Sequence, residues 1–365
     1  MRGNTPGSAL HLMPEGCGTN NGRKGLVQMN KYTRGDDREE LLARMAEMYY
    51  EKKCSQAEIA RAVGVTRSAV SRMLKEAMEK GIVAIQIRRP LRFDESLAQA
   101  LVQRFSLQNA HVLAWDKETN YQELQSRLGK AAAQVLAANL APALMVGVAW
   151  GTTVSATIAA LEVSESIPVR VVQLVGVLGS SSHAFNAQAL VQNLASKLGG
   201  EGTYMYTPFI VDNEETARSL LNSDNIRAAI DAGKHCDLAL LGIGTTDPDY
   251  CTLYQGGHIS RGTLESLRRA GAVGDVGAHY FGLDGRMTDT DFHNRLIGIA
   301  LDDLLAIPTR LGVAGGRAKA KSIRGALRGH YINVLVTDSL TAALVLELDQ
   351  SIALTNGALN EPGNP

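Results

Sequence analysis

Three stretches of the 365-residue chain put chemistry-bearing residues beside glycines in apolar settings, two of them where an apolar run gives way to a helical one. In VGVAWGTTV (146–154) the run ends at Gly151, and Thr152 and Thr153 open the next segment. A glycine there lets the backbone come close to a ligand. The unbonded N–H groups and dipole of the opening helix attract an anion, and the hydroxyls add donors. The same triplet would also serve as an ordinary helix cap. In GVAGGRAKAKSIRGAL (312–327) a second run closes at Gly315 and Gly316, and Lys319 follows at the next helix start. A lysine there is a point charge suited to phosphate, or simply a solvated helix-start residue. In AVGDVGAHYF (272–281) Asp275 offers a carboxylate to ligand hydroxyls, or caps a turn. Gln173 interrupts a run of valines and needs a partner, of which a ligand is one choice. Gly242, Gly244 and Thr245 form a further strand-end turn that could border the same site. His279 reads as packing, and His183 and His258 sit in loops outside any constellation.

A second kind of chemistry lies nearer the N-terminus, in QAEIARAVGVTRSAVSRMLK (56–75). Ala60 suits a close helix crossing, and Gly64 suits the positive φ of a tight turn. Ile59, Val63, Val65, Val70 and Leu74 are the inward positions, and Thr66 caps the second helix. That leaves Arg67, Ser68, Ser71 and Arg72 exposed on the half of the helix that enters a major groove in helix-turn-helix units. Arginine pairs with guanine in two places at once, and serine reaches base edges or phosphates. VAIQIRR (83–89) then alternates like a strand and ends in Arg88 and Arg89, either a wing on the phosphate backbone or a solvated basic edge. The implied partner is double-stranded DNA.

The elements that must position these residues follow from periodicity. Helical spacing covers 37–51, 56–62 and 67–80, and a short amphipathic helix covers 94–106. From 110 on, strands (110–115, 145–150, 169–176, 237–243, 310–314, 332–337) alternate with helices (to about 141, from 153, near 185–198, 319–328, 339–349). That pattern implies a doubly wound, mostly parallel α/β sheet with helices on both faces, behind an all-α winged helix-turn-helix. The expected boundaries are 1–34 as a disordered extension, 35–92 as the DNA-binding unit, 93–108 as a linker helix, 109–355 as the α/β domain and 356–365 as a disordered tail. Met29 is a candidate start, because patterned sequence begins just after it.

Net charge is zero, but residues 30–92 hold 14 Lys/Arg against 9 Asp/Glu, and residues 93–365 hold 20 against 27. A basic head on an acidic body suits an anion-binding module carried by a larger body that would not itself adhere to nucleic acid. The four cysteines, Cys17, Cys54, Cys236 and Cys251, lack metal-ligand spacing and read as thiols of a reducing compartment. No apolar run reaches the roughly 18–20 residues of a membrane span. The expectation is a cytoplasmic protein without metal or cofactor.

The chain resembles the SorC family of sugar-binding transcription regulators over about residues 38–350. Besides the helix-turn-helix, the resemblance rests on VGVAWGTTV, VVQLVGVLG (171–179), LLGIGT (240–245), GAVGDVGAHYFGLDGR (271–286) and GVAGGRAKAKSIRGALRGHYINVLVTDSLTA (312–342), in family order. It implies an effector domain similar to the sugar-phosphate isomerase and deaminase fold, and a homo-oligomer, dimer or tetramer. It implies that Gly151, Thr152, Thr153 and Lys319 help hold an effector's phosphate and that Asp275 meets its sugar or polyol hydroxyls. It also implies a regulator of a carbohydrate catabolism operon with no catalytic residue. The alternative is a sugar-phosphate isomerase or deaminase, for which Asp247 and Asp249 of GIGTTDPDY (242–250) supply carboxylates near a glycine turn.

Overall fold

The structure is a computed structural model that describes residues 35–84, 90–115, 120–179 and 186–359. It divides into two compact units, one up to Arg89 and one from Pro90 onward.

In the first unit α1 (Gly35–Ala46) runs into a π-helical turn at Glu47–Glu51, and α2 (Gln56–Val63) and α3 (Arg67–Glu79) follow. Ser55 and Glu58 begin α2 with a reciprocal cap: the Glu58 N–H donates to Ser55 Oγ and the Ser55 N–H donates to Glu58 Oε2. Gly64 ends α2 in the left-handed conformation (φ 73). The Thr66 hydroxyl accepts from the Ala69 N–H to start α3. Leu42, Met45, Ile59, Ala60, Val70, Met73, Leu74 and Ala77 form a closed core. Val63 and Val65 pack on its edge, less buried than their inward reading implies. Residues 85–89 of the expected strand, Arg88 and Arg89 included, lie outside the described residues.

The second unit begins with α4 (Glu95–Phe105) and continues β1 (Asn109–Leu113), α5 (Tyr121–Ala138), β2 (Met145–Val148), α6 (Thr152–Ala160), β3 (Arg170–Gln173), α7 (Ala187–Leu198) and β4 (Glu201–Thr203). Then come α8 (Glu214–Leu221), α9 (Asp224–Lys234), β5 (Leu238–Gly242), α10 (Thr252–Gln255), α11 (Arg261–Arg269), β6 (Gly274–Val276) and β7 (His279–Phe281). The unit closes with α12 (Leu301–Ala306), β8 (Thr309–Val313), a 3-10 turn at Arg317–Lys319, α13 (Ala320–Arg328), β9 (Val334–Asp338) and α14 (Ser339–Leu359).

Among the described residues the main sheet has seven strands in the order β1-β9-β8-β5-β2-β3-β4, every pair parallel. The central strands are almost wholly apolar and buried, as strands covered on both faces must be. From β2 the chain winds outward through β3 and β4. From β5 it winds the other way through β8 and β9. Strand order therefore reverses between the neighbours β2 and β5, and in open α/β sheets a crevice opens beyond the carboxyl ends of such a pair. A separate antiparallel hairpin, β6 with β7, sets Asp275 opposite Tyr280.

Two boundaries differ from expectation. The helix read as a linker is part of the second unit: Ala98, Leu101 and Phe105 of α4 share a core with Ala342 and Val345 of α14. Its apolar stripe is broad enough to be a packing face, which spacing alone does not distinguish from a linker. At the other end α14 runs to Leu359 rather than ending near 349. The start of the expected tail, from Asn356, is thus helical, and residues 360–365 lie outside the described residues.

Candidate functional site

A cleft opens at the switch point between β2 and β5. Its first wall is the turn from β2 into α6. Gly151 has φ 154 and ψ 152, a conformation open essentially to glycine alone, and it turns the chain so that Thr152 begins α6 at the cleft. The first N–H groups of α6 have no acceptor within the helix, so this end carries partial positive charge. The hydroxyls are held rather than loose. Thr153 donates to the Val313 carbonyl at 2.7 Å, tying α6 to the end of β8. Thr152 Oγ1 accepts from Gln125 Nε2 at 2.9 Å, which leaves its own proton available to a ligand.

The second wall is the end of β5. Gly242, Ile243, Gly244 and Thr245 line the cleft, and Gly244 is there for space: a Cβ would lie 1.8 Å from Asp275 Oδ1. The backbone N–H of Gly244 donates to the Asp275 carbonyl, fixing the hairpin against β5. Asp275 is 5% exposed and accepts from the Ala278 N–H at 3.2 Å. Burial pushes its carboxyl up to about 6, against the opposing pull of Lys319 and of that N–H. Lys319 closes the cleft from the 3-10 turn. It is buried, donates to the Ile243 carbonyl, and is pushed below the ordinary lysine range by burial, with Asp275 pulling the other way. It is therefore not a solvated helix-start lysine. Cys251, Thr252 and Leu253 complete the wall with Trp150 and Gly277. Burial pushes the Cys251 thiol up to about 11, which keeps it an unreactive lining group.

The arrangement is donor-rich and brings one buried lysine and one buried carboxylate to the same cleft. It suits a small molecule with an anionic group and hydroxyls. Gly151, Thr152, Thr153, Gly242, Gly244, Thr245, Asp275 and Lys319 all line it. Gln173 does not, and this corrects the sequence reading. Its amide donates to the Val175 and Met205 carbonyls and accepts from the Met205 N–H, stitching β3 to the following loop. The partner that a buried glutamine needs is backbone here, not ligand. Asp247 and Asp249 are also outside the lining, and Asp247 Oδ1 accepts from the Asp249 N–H as a turn cap. Trp150, Ile243, Cys251, Thr252, Leu253 and Gly277 had no assigned role in the sequence. Trp150 lay inside the quoted VGVAWGTTV stretch, whereas nothing local marks 251–253. Among the described residues, no group of three or more His, Cys, Asp or Glu is placed to hold a metal ion.

An ionised Asp275 accepts hydroxyl protons on both oxygens, whereas a protonated one has lost part of that capacity. Affinity for a hydroxylated ligand is accordingly expected to fall as pH drops through about 6. Calorimetry with a sugar sulfate, whose charge is fixed, isolates this titration. The inflection should vanish in Asp275→Asn, and an unchanged profile in that variant would assign it to another group.

In the first unit Arg67, Ser68, Ser71 and Arg72 are all exposed along the N-terminal half of α3. Arg67 and Arg72 make no ion pair among the described residues, while Arg38 holds Glu76 and Lys80 holds Glu39 on the helix farther along. The basic end of α3 is thus open to an acidic surface and its acidic end is neutralised. If Arg72 reads a base edge, Arg72→Ala should cost about 1–3 kcal/mol on the preferred duplex and relax selectivity at one base pair. Anisotropy titrations against base-substituted duplexes give that number, and equal losses on every sequence would make Arg72 a phosphate contact instead.

Comparisons with known proteins bear on both units. A sugar-binding domain family matches residues 89–347, and a winged helix-turn-helix DNA-binding family matches residues 46–84. The chain is 31% identical to the deoxyribonucleoside regulator of Bacillus subtilis, over 86% of this chain and 99% of that one. It is 35% identical to the transcriptional regulator LsrR of Escherichia coli O157:H7, over 84% and 95%. Among solved structures it is similar to the full-length sorbitol operon regulator SorC from Klebsiella pneumoniae, with a TM-score of 0.63, 29% identity and coverage of 85% of this chain and 99% of that one.

Proposed function

The chain belongs to the SorC family of sugar-binding transcription regulators, and on that premise we propose that it is a DNA-binding regulator whose operator affinity is set by a phosphorylated sugar or polyol. The observation that carries this reading is the cleft at the switch point. A helix N-terminus, a buried lysine and a buried carboxylate line it together, in the same chain as a helix-turn-helix.

In this reading Lys319 and the Thr152–Thr153 helix start hold the phosphate through charge-assisted hydrogen bonds, and Asp275 holds hydroxyls. The glycines let the ligand approach the backbone. The effector acts through linkage: it shifts DNA affinity only by its differential affinity for two arrangements of the protein, typically about 1–3 kcal/mol of coupling. One helix-turn-helix makes few contacts for operator affinity, so the protein acts as at least a dimer, on half-sites an integral number of helical turns apart. Among the described residues no helix is long and apolar enough to cross a membrane, and a cytoplasmic site of action fits a DNA-binding role.

No catalysis is assigned to the cleft. A regulator needs only binding there, and fold likeness to an isomerase or deaminase does not bring its chemistry along. A thermal-shift panel of pentose, hexose and polyol phosphates, followed by product analysis of the stabilising compounds, tests the reading. Stabilisation by a phosphorylated member, recovered unchanged, is the expected result. Recovery of isomerised or deaminated product would make the protein an enzyme.

A further inference from the structure

Two hydroxyls stand at the start of α6, and their hydrogen bonds differ. The Thr153 hydroxyl gives its proton to the Val313 carbonyl at 2.7 Å and has none left for a ligand. The Thr152 oxygen instead accepts from Gln125 Nε2 at 2.9 Å, and among the described residues nothing takes the Thr152 proton. A hydroxyl has a single proton, so an N–H already directed at its oxygen makes it a donor toward the next group it meets. Thr152 lines the cleft and is half-buried, not sealed. Gln125 is not itself part of the lining. The packing of α5 on α6 puts it where it is. A Cβ on Gly129 would lie 2.6 Å from the Ala156 carbonyl carbon, so the two helices meet backbone to backbone there. Gln125 is four residues before Gly129, and Thr152 is four before Ala156. One turn back along both helices, the amide therefore stands across from the hydroxyl. Gln125 is also one turn beyond Tyr121. Burial pushes that phenol up, and a hydrogen bond from Gln125 opposes the push. The amide is thus held along its own helix as well as across to α6.

We propose that Gln125 is a positioning residue of the cleft, which fixes the Thr152 hydroxyl as a hydrogen-bond donor to the phosphate of the bound sugar or polyol phosphate. The proposal rests on the functional reading above and adds a division of labour to it. Of the two helix-start hydroxyls, Thr152 meets the ligand and Thr153 ties α6 to β8. A donor held in one sense suits a group that only accepts, as the oxygens of a fully ionised phosphate do. A protonated amino group, which has only donors to offer, is rejected at that position. The support lies outside the cleft, on a helix packed too closely to drift, which is how a binding group keeps its direction before the ligand arrives.

A double-mutant cycle separates positioning from a merely structural role. Gln125→Met keeps the length of the side chain and removes the amide, and Thr152→Val keeps the shape and removes the hydroxyl. Calorimetry on the full chain uses ribose 5-phosphate, fructose 6-phosphate and glucose 6-phosphate as probes. For any probe the wild type binds, Thr152→Val should raise Kd about 10-fold or more, as expected for a hydrogen bond to a charged group. Gln125→Met should raise it about 3- to 12-fold, the range of one neutral hydrogen bond. In the Thr152→Val background the same Gln125 change should move Kd less than twofold, because no hydroxyl remains to be held. Gln125→Ala runs through the same cycle, so the test does not depend on one variant folding. Three results overturn the role of Gln125 and leave the sugar-phosphate reading standing: Thr152→Val within twofold of wild type, Gln125 variants within twofold of wild type, or Gln125 losses that are the same with and without the Thr152 hydroxyl. Failure of every probe to bind the wild type overturns that reading, and this proposal with it.

Discussion

Lys319→Met is expected to weaken a phosphorylated effector by about 10- to 150-fold, the equivalent of about 1.5–3 kcal/mol for hydrogen bonds to a charged group. The unphosphorylated sugar should change far less, because the proposed function pairs the lysine with the phosphate. Methionine is chosen because Lys319 is buried and its stem fills space at the base of the 3-10 turn. One side effect needs a control. Asp275 loses the cation that holds its carboxyl down, so it protonates more readily and contacts to hydroxyls weaken as well. The double variant Lys319→Met with Asp275→Asn separates the two effects. Relative to Asp275→Asn alone, it should still lose the phosphate preference. Calorimetry with a sugar and its phosphate on wild type and the three variants supplies the comparison. Equal losses for both ligands on removing Lys319 would exclude it as the phosphate's partner.

The largest stability effect is expected at Asp349. Its carboxylate on α14 is fully buried and is held by Arg104 of α4 and by Arg324 and Arg328 of α13. Arg328 Nε donates to Oδ1 at 2.7 Å, and Arg328 also lies over the Phe105 ring, 5.2 Å from its centroid. These contacts hold its carboxyl below the usual range despite burial. Asp349→Asn keeps the shape and leaves three clustered cations without an anion. Breaking a buried pair costs about 3–5 kcal/mol. Arg104 and Arg328 remain more than a third exposed, so water screens part of the repulsion, and about 3 kcal/mol is expected. At about 2–4 °C per kcal/mol for a unit of this size, Tm should fall by about 6–12 °C. A drop of less than 2 °C would mean that the three arginines are adequately solvated without Asp349.

What the sequence made legible follows a physical division. Turns from strand to helix carry their own local chemistry. Gly151 with Thr152 and Thr153 was readable because a turn from strand into helix needs a glycine and hydroxyls there whatever lies across the cleft, whereas Gly244 is required by Asp275, which the turn itself does not reveal. The helix-turn-helix was readable for the same reason, from the Ser55 and Thr66 caps and the Gly64 turn. The wall at Cys251–Leu253 was not, because α10 is a four-residue turn placed by tertiary packing. The stretch from β4 through α9 was passed over for a related reason. β4 has three residues, too few to show a strand's alternation, and α8 has only eight, of which Ala217 alone is buried. Gln173 shows the opposite failure. A polar residue on a buried strand needs a partner, but the sequence does not say whether backbone or ligand supplies it.

The central claim is that one molecule couples the cleft to the DNA-binding helix. The most direct test uses a duplex selected from the source genome by the full-length protein. Its affinity is measured by fluorescence anisotropy at fixed salt, with and without the sugar phosphate that stabilises the protein in the thermal panel. The account predicts a change in Kd of about 5- to 150-fold, in either direction, that is lost in Lys319→Met while DNA binding without effector is kept. A sugar phosphate that saturates the cleft and leaves DNA affinity unchanged would contradict it.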